Sequence, residues 1–170
     1  VILSSGTQVI FEHATNGCAS TPRYNLQVVR VTGAEVSRGN GLSMLAAGSV
    51  TTATSSSLAA VVSNHTMLLY TLRAGSTGND PCERQLRGYM PDNTHVEFHR
   101  ANGNPAATCT DDAVEDIAWQ RVQWPGATRV QPLTVNLPDG TLTTTVAVPA
   151  AVDSSRTLVL SGNQSFNGTS

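Results

Sequence analysis

Apolar and polar positions alternate with a period of two along much of this chain. In "THVEFHR", Val96 and Phe98 alternate with His95, Glu97 and His99, the pattern of a strand with one buried face. In "DIAWQRVQW", Ile117 and Trp119 begin an apolar set that a one-residue slip carries on through Val122 and Trp124. "TMLLYTLR" from Thr66 is almost continuously apolar, as in a strand covered on both faces, and "TLTTTVAV" from Thr141 is long and β-branched. Turn residues punctuate these runs at Gly39-Asn40-Gly41, Gly78-Asn79-Asp80-Pro81, Pro91-Asp92-Asn93, Pro125-Gly126 and Asp139-Gly140. No segment holds a sustained 3.6-residue pattern; "LSMLAAGS" from Leu42 is the one place where a short helix is expected to start. The predicted class is all-β, built as antiparallel β-sandwich.

The pattern is written twice. "TQVIFEHATNG" from Thr7 matches "THVEFHRANGN" from Thr94, and Cys18 falls opposite Cys109 after a short insertion. "YNLQVVRVTGAEV" matches "IAWQRVQWPGATRV", setting Leu26 opposite Trp119, Val29 opposite Val122 and Gly33-Ala34 opposite Gly126-Ala127. "GSVTTATSSSLAAVVSNHTMLLY" matches "DGTLTTTVAVPAAVDSSRTLVLS". The offset stays between 87 and 93 residues throughout. Blocks repeated in the same order argue for a duplicated unit of about 90 residues, a size at which small β-domains fold alone. The buried positions expected in one unit are Val96, Phe98, Trp119 and Val122, and in the other Val9, Phe11, Leu26 and Val29.

The phase of the repeat sets the domain organisation. Residues 36–125 hold one complete β-sandwich unit. Residues 1–35 and 126–170 supply the two parts of a second unit, split across the ends of the chain. The split unit closes within one chain, or between chains, or the sequence is a window on a longer array. Closure between chains makes a homo-oligomer: a half-sandwich exposes edges that template strand addition, and head-to-tail completion without closing symmetry makes a filament. Val1, Ile2, Leu3, Val9 and Phe11 are then the expected subunit contacts.

A family resemblance rests on the order of five segments: "VSRG" from Val36, "TMLLYTLR", "RQLRGYM", "THVEFHR" and the closing "IAWQRVQW". That order resembles H-type lectin domains, and the Trp-Gln-Val-Val-Glu-Phe and Val-Gln-Arg-Gly repeats of large bacterial surface and secreted proteins. The likeness spans Val36 to Trp124 as a whole unit and both flanks as parts of another. It implies a six-stranded antiparallel sandwich, and a lectin-like glycan-binding module as the alternative function. None of the family's sugar-binding residues maps onto this chain position by position.

Composition narrows the setting. Charged residues make up 13%, there is no lysine, and the formal net charge is −2, so nucleic acid is not an expected partner. No run approaches the roughly 20 apolar residues of a membrane helix, and no membrane insertion is expected. The sequence opens at Val1 without a charged and apolar leader, which reads as a processed product or a fragment. Cys82 and Cys109 flank the "THVEFHR" strand and lie at the same end of a hairpin, so they are expected to form a disulfide. The bond would close about 26 residues, contribute about 3 kcal/mol and imply an oxidising, extracellular or cell-surface location. The counterpart of Cys82 falls in the stretch missing from the first copy, which leaves Cys18 outside that bond. Asn64, Asn163 and Asn167 head sequons, candidate glycosylation sites in a secreted protein.

Candidate chemistry is thin. His95, Glu97 and His99 share one strand face and are zinc-compatible types, but the first copy has Gln8, Ile10 and Glu12 there, so a solvated outer face is the expectation. "TDDAVED", with Asp111, Asp112, Glu115 and Asp116, lacks a calcium-loop spacing and reads as a polar loop. Trp124 beside Pro125 reads as a binding platform or a strand-end cap. No nucleophile elbow, phosphate loop, His-Glu-x-x-His or Cys-x-x-Cys occurs. No catalytic residue, metal or cofactor is expected. The sequence predicts a non-enzymatic structural subunit of an extracellular filament, appendage or sheath.

Overall fold

The computed structural model describes residues 2–5, 8–10, 28, 30–44, 52–74, 86–100, 114–126, 128–135 and 143–160. Its strands are β1 (Ile2–Ser5), β2 (Gln8–Ile10), β3 (Glu35–Met44), β4 (Thr52–Thr54), β5 (Thr66–Ala74), β6 (Leu86–Tyr89), β7 (Glu97–Arg100) and β8 (Val114–Gln123). The all-β expectation is met: two three-stranded antiparallel sheets form, and no α-helix occurs among the described residues. One sheet has the order β3-β8-β5 and the other β4-β7-β6, so β8 and β7 are the central strands. β1 and β2 pair with each other. Residues 128–135 and 143–160 carry no strand.

The core lies between the two sheets. Met44, Ile117 and Trp119 from the first meet Ala53, Leu86 and Phe98 from the second, together with Val96, and Leu68, Tyr70 and Leu72 pack against them. Val96, Phe98 and Trp119 are buried in the core, as their spacing predicts, and Val122 is buried too, though not on that face. The slip expected in β8 does not occur. Its pairing with β5 runs unbroken from Thr66↔Gln123 to Arg73↔Asp116. Simple alternation therefore continues Ile117 and Trp119 with Arg121, and Val122 falls on the opposite face between Val36 and Met67.

Two further expectations are corrected in β3. Leu42 and Met44 extend the strand, paired with Ile117 and Val114, instead of starting a helix. Burial of Met44 in the core overrides their helical propensity. Gly39-Asn40-Gly41 is a β-bulge, not a turn: the register with β8 shifts between Gly39 and Leu42. Gly41 takes φ +81° and donates its N–H to Asp116 Oδ1 at 2.6 Å. Gly39 is small because a Cβ there would lie 2.5 Å from Trp119 Cζ2.

Segments that the sequence matches to one another share geometry at three separate places. In the β6–β7 hairpin Tyr89 faces Glu97, and in the β1–β2 hairpin their counterparts Ile2 and Ile10 face each other. Gly33 and its counterpart Gly126 both take positive φ, +79° and +65°. The 3-10 turn Ser63–His65 recurs as Ser154–Arg156. Val62 and Asp153 before these turns have φ/ψ of −85°/104° and −83°/108°; Thr66 and Thr157 after them have −114°/131° and −115°/130°. Each of these threonines donates its hydroxyl back to the main-chain oxygen four residues earlier, at 2.8 and 2.7 Å.

Candidate functional site

The outer face of the β4-β7-β6 sheet carries a compact polar cluster. Alternation along β7 turns Phe98 inward and Glu97 and His99 outward, beside Tyr89 of β6 and Thr52 and Thr54 of β4. The Tyr89 hydroxyl bonds to Glu97 Oε1. His99 Nε2 lies 2.6 Å from the same oxygen and 3.2 Å from the Tyr89 hydroxyl, and Thr54 donates to Glu97 Oε2 at 3.1 Å. Hydrogen bonds from Tyr89, then His99 and Thr54, hold the Glu97 carboxyl below its usual range; the bond to Glu97 pushes the Tyr89 phenol up. His95 precedes β7 and bonds Asp92 instead, Nδ1 to Oδ2 at 2.8 Å. The three zinc-compatible residues do not converge, and no metal-holding group of His, Cys, Asp or Glu occurs among the described residues. Each polar group in this network is satisfied by a neighbour, an arrangement that ties three strands together.

Arg121 is, with Arg100, one of two buried arginines among the described residues that sequence reasoning missed. Its side chain is 1% exposed. Its guanidinium donates to Ser37 Oγ at 3.0 Å and to the main-chain oxygens of Asn93 at 3.2 Å and Ala59 at 2.8 Å. Burial lowers its pKa. The bonds clamp the 55–61 segment, which runs beside residues 93–96 through Ser55 N–H to Val96 O and Leu58 N–H to Thr94 O. A signal was present: the counterpart of Arg121 is Val28, an apolar residue.

The segment that follows β8 docks on the first 3-10 turn. Trp124 N–H donates to His65 O at 2.9 Å, Val130 N–H to Asn64 O at 2.8 Å, and Val62 N–H to Gln123 Oε1 at 2.6 Å. Arg129 Nη1 lies 2.6 Å from His65 Nε2. Val62, His65, Gln123, Trp124, Pro125 and Gly126 line a shallow cleft of about 220 Å³ here. Trp124, half-buried at the end of β8, is one of its lining residues.

Beyond this segment, the described residues 143–160 are exposed. Thr66 is buried, yet its counterpart Thr157 is exposed; Leu68 packs on the core, yet its counterpart Val159 is 83% exposed. Val146 and Val148, beside the counterparts of β4, are also exposed. Of the expected subunit contacts, Ile2, Leu3 and Val9 lie in the β1–β2 hairpin, and Val1 and Phe11 lie outside the described residues. Cys18, Cys82, Cys109, Asp111, Asp112, Asn163 and Asn167 are also outside them; Asn64 sits exposed in the first 3-10 turn. No described helix is long and apolar enough to cross a membrane.

Comparison with protein-family models, with curated proteins and with solved structures finds no match to this chain.

Proposed function

We propose that this chain is a non-catalytic structural subunit of an extracellular filament, appendage or sheath, assembled by completing a split β-unit between neighbours. The observation that carries this reading is the tail: it repeats the turn geometry of the complete unit while its core positions stand exposed. By the repeat, residues near 128–137 and 157–165 correspond to β3 and β5, and residues 21–30 to β8, the central strand between them. Residues near 10–13 correspond to β7, the other central strand. Both central strands of the second unit thus come from the N-terminal part of a chain, and a neighbour's copy supplies them. Unprotected apolar strand segments favour such pairing.

Side-chain volumes fit the same reading. Gly88 is small because Tyr70 and Phe98 crowd it. At the matching positions the second copy has Val1 for Gly88 and Ser161 for Tyr70, with Phe11 retained for Phe98. Bulk lost on one strand is restored on the other, as in a core shared by residues 1–13 and the tail. Electron microscopy of the native chain tests this reading: fibres support it, and discrete particles sink it. A second reading, a lectin-like module that adheres to glycans, draws on the Trp124 cleft, where an indole flank lies beside His65 and Gln123. Titration with monosaccharides, following Trp124 fluorescence, separates the two.

A further inference from the structure

The contact that closes the complete unit on its own 3-10 turn also describes how the split unit closes between chains. Each such contact joins the end of a central strand, or the segment that the repeat matches to it, a positive-φ glycine and a 3-10 turn. Within the chain these are Gln123-Trp124, Gly126 and Ser63–His65; Val62 N–H reaches Gln123 Oε1, and Trp124 N–H reaches His65 O. At the other end they are Arg30-Val31, Gly33 and Ser154–Arg156, with backbone angles nearly the same.

Substituting counterparts into the first joint gives the contacts of the second. Val31 takes the place of Trp124 against the main-chain oxygen of Arg156. Arg30 takes the place of Gln123, and Asp153 that of Val62. A guanidinium has no acceptor for the Asp153 N–H, so that main-chain bond is not repeated; Arg30 and Asp153 instead stand as neighbours of opposite charge, where Gln123 and Val62 line one cleft. Arg30 and Asp153 are both exposed. Asp153 Oδ1 accepts from Ser155 N–H at 3.0 Å and from the Ser155 hydroxyl at 2.6 Å, so its carboxylate is fixed in direction.

We infer that Arg30 of one copy pairs with Asp153 of the next, docking the Arg30–Glu35 segment onto the neighbour's Ser154–Arg156 turn. The inference rests on the filament reading and adds its contact. Charge complementarity at such a contact selects partner and register.

The test is a double-mutant cycle on the full chain, read as the critical concentration for assembly. Arg30→Glu sets two carboxylates together and should raise it at least about fivefold. Asp153→Asn keeps the acceptor for Ser155 and removes the charge, so Arg30→Glu in that background should raise it less than about twofold. Equal effects of Arg30→Glu in both backgrounds, with fibres still forming, overturn this contact and leave the filament standing. A photo-crosslinking residue at position 156, in a mixture of isotopically light and heavy chains, gives the second readout. Light-to-heavy adducts on residues 28–36 are expected. Adducts elsewhere in intact fibres overturn the contact alone. Adducts on residues 28–36 of the same chain only, or no assembly at all, overturn the contact and the filament reading together.

Discussion

Gly88 is crowded by two aromatic rings of the core, and its substitution has a calculable consequence. A Cβ at this position would sit 2.7 and 2.9 Å from Cε1 and Cδ1 of Phe98 and 2.8 Å from Cε1 of Tyr70. Neither ring has room to retreat. Phe98 is fully buried and meets Tyr70 edge to face at 5.1 Å between centroids. The Tyr70 hydroxyl donates to Leu86 O at 2.5 Å and accepts from Gly88 N–H at 3.3 Å, fixing the second ring. Gly88→Ala should therefore cost about 2 kcal/mol, the middle of the usual range for overpacking. Tyr70→Ser should cost about 3 kcal/mol by loss of a half-buried ring. In the double variant the added methyl enters space that Tyr70 has left, so the total should fall short of the sum by at least about 1 kcal/mol. Urea unfolding of the four proteins, compared at equal m values, measures this. Additivity within about 0.5 kcal/mol would refute the reasoning, and would remove the volume exchange at Val1 and Ser161 as support for the split unit.

Arg121→Ala strips the donors from the Ala59 and Asn93 carbonyls and should cost about 3 kcal/mol; a loss below about 1 kcal/mol in urea unfolding would mean that the clamp is not needed. Asp92 is held to about 2 by the Thr94 N–H, the Thr94 hydroxyl and His95, against an ordinary 3.8. A depressed carboxyl stabilises fully above its unfolded pKa and loses that contribution as pH falls through the folded one, so Asp92→Asn should flatten the decline in stability between about pH 4 and 2. Equal acid sensitivity in both proteins would contradict that pairing. Peptide mapping without reduction should find Cys82 linked to Cys109, whereas a Cys18–Cys109 bond or a free Cys82 would overturn the assignment and weaken the repeat alignment.

The strands that alternation marks clearly were legible in the sequence. Val96 and Phe98 face inward, Glu97 and His99 outward, and Trp119 is core, because a period of two admits one phase once one face is buried. The self-similarity of the chain was legible because it needs only the chain compared with itself. The failures share a cause: each lies where a tertiary contact overrules a local preference. Arg121 inside the protein goes against charge statistics, and three hydrogen bonds make it tolerable. The Gly39-Asn40-Gly41 bulge reads locally as a turn, and only the bulk of Trp119 and the Asp116 acceptor show why the strand continues. Leu42 to Met44 look helical until the buried Met44 side chain sets their direction. Tyr89 was not singled out, because the hairpin register that sets it beside Glu97 and His99 is invisible along a single strand.

Electron microscopy of a chain lacking residues 1–13, beside the native chain, tests assembly by split-unit completion most directly. The native chain should form fibres. The shortened chain keeps the complete unit but cannot offer a neighbour the strand that corresponds to β7, so it should remain a soluble subunit. Added peptide of sequence 1–13 should then bind its open tail. Normal fibres from the shortened chain would contradict the account, as would a native monomer with residues 1–31 folded back on its own tail.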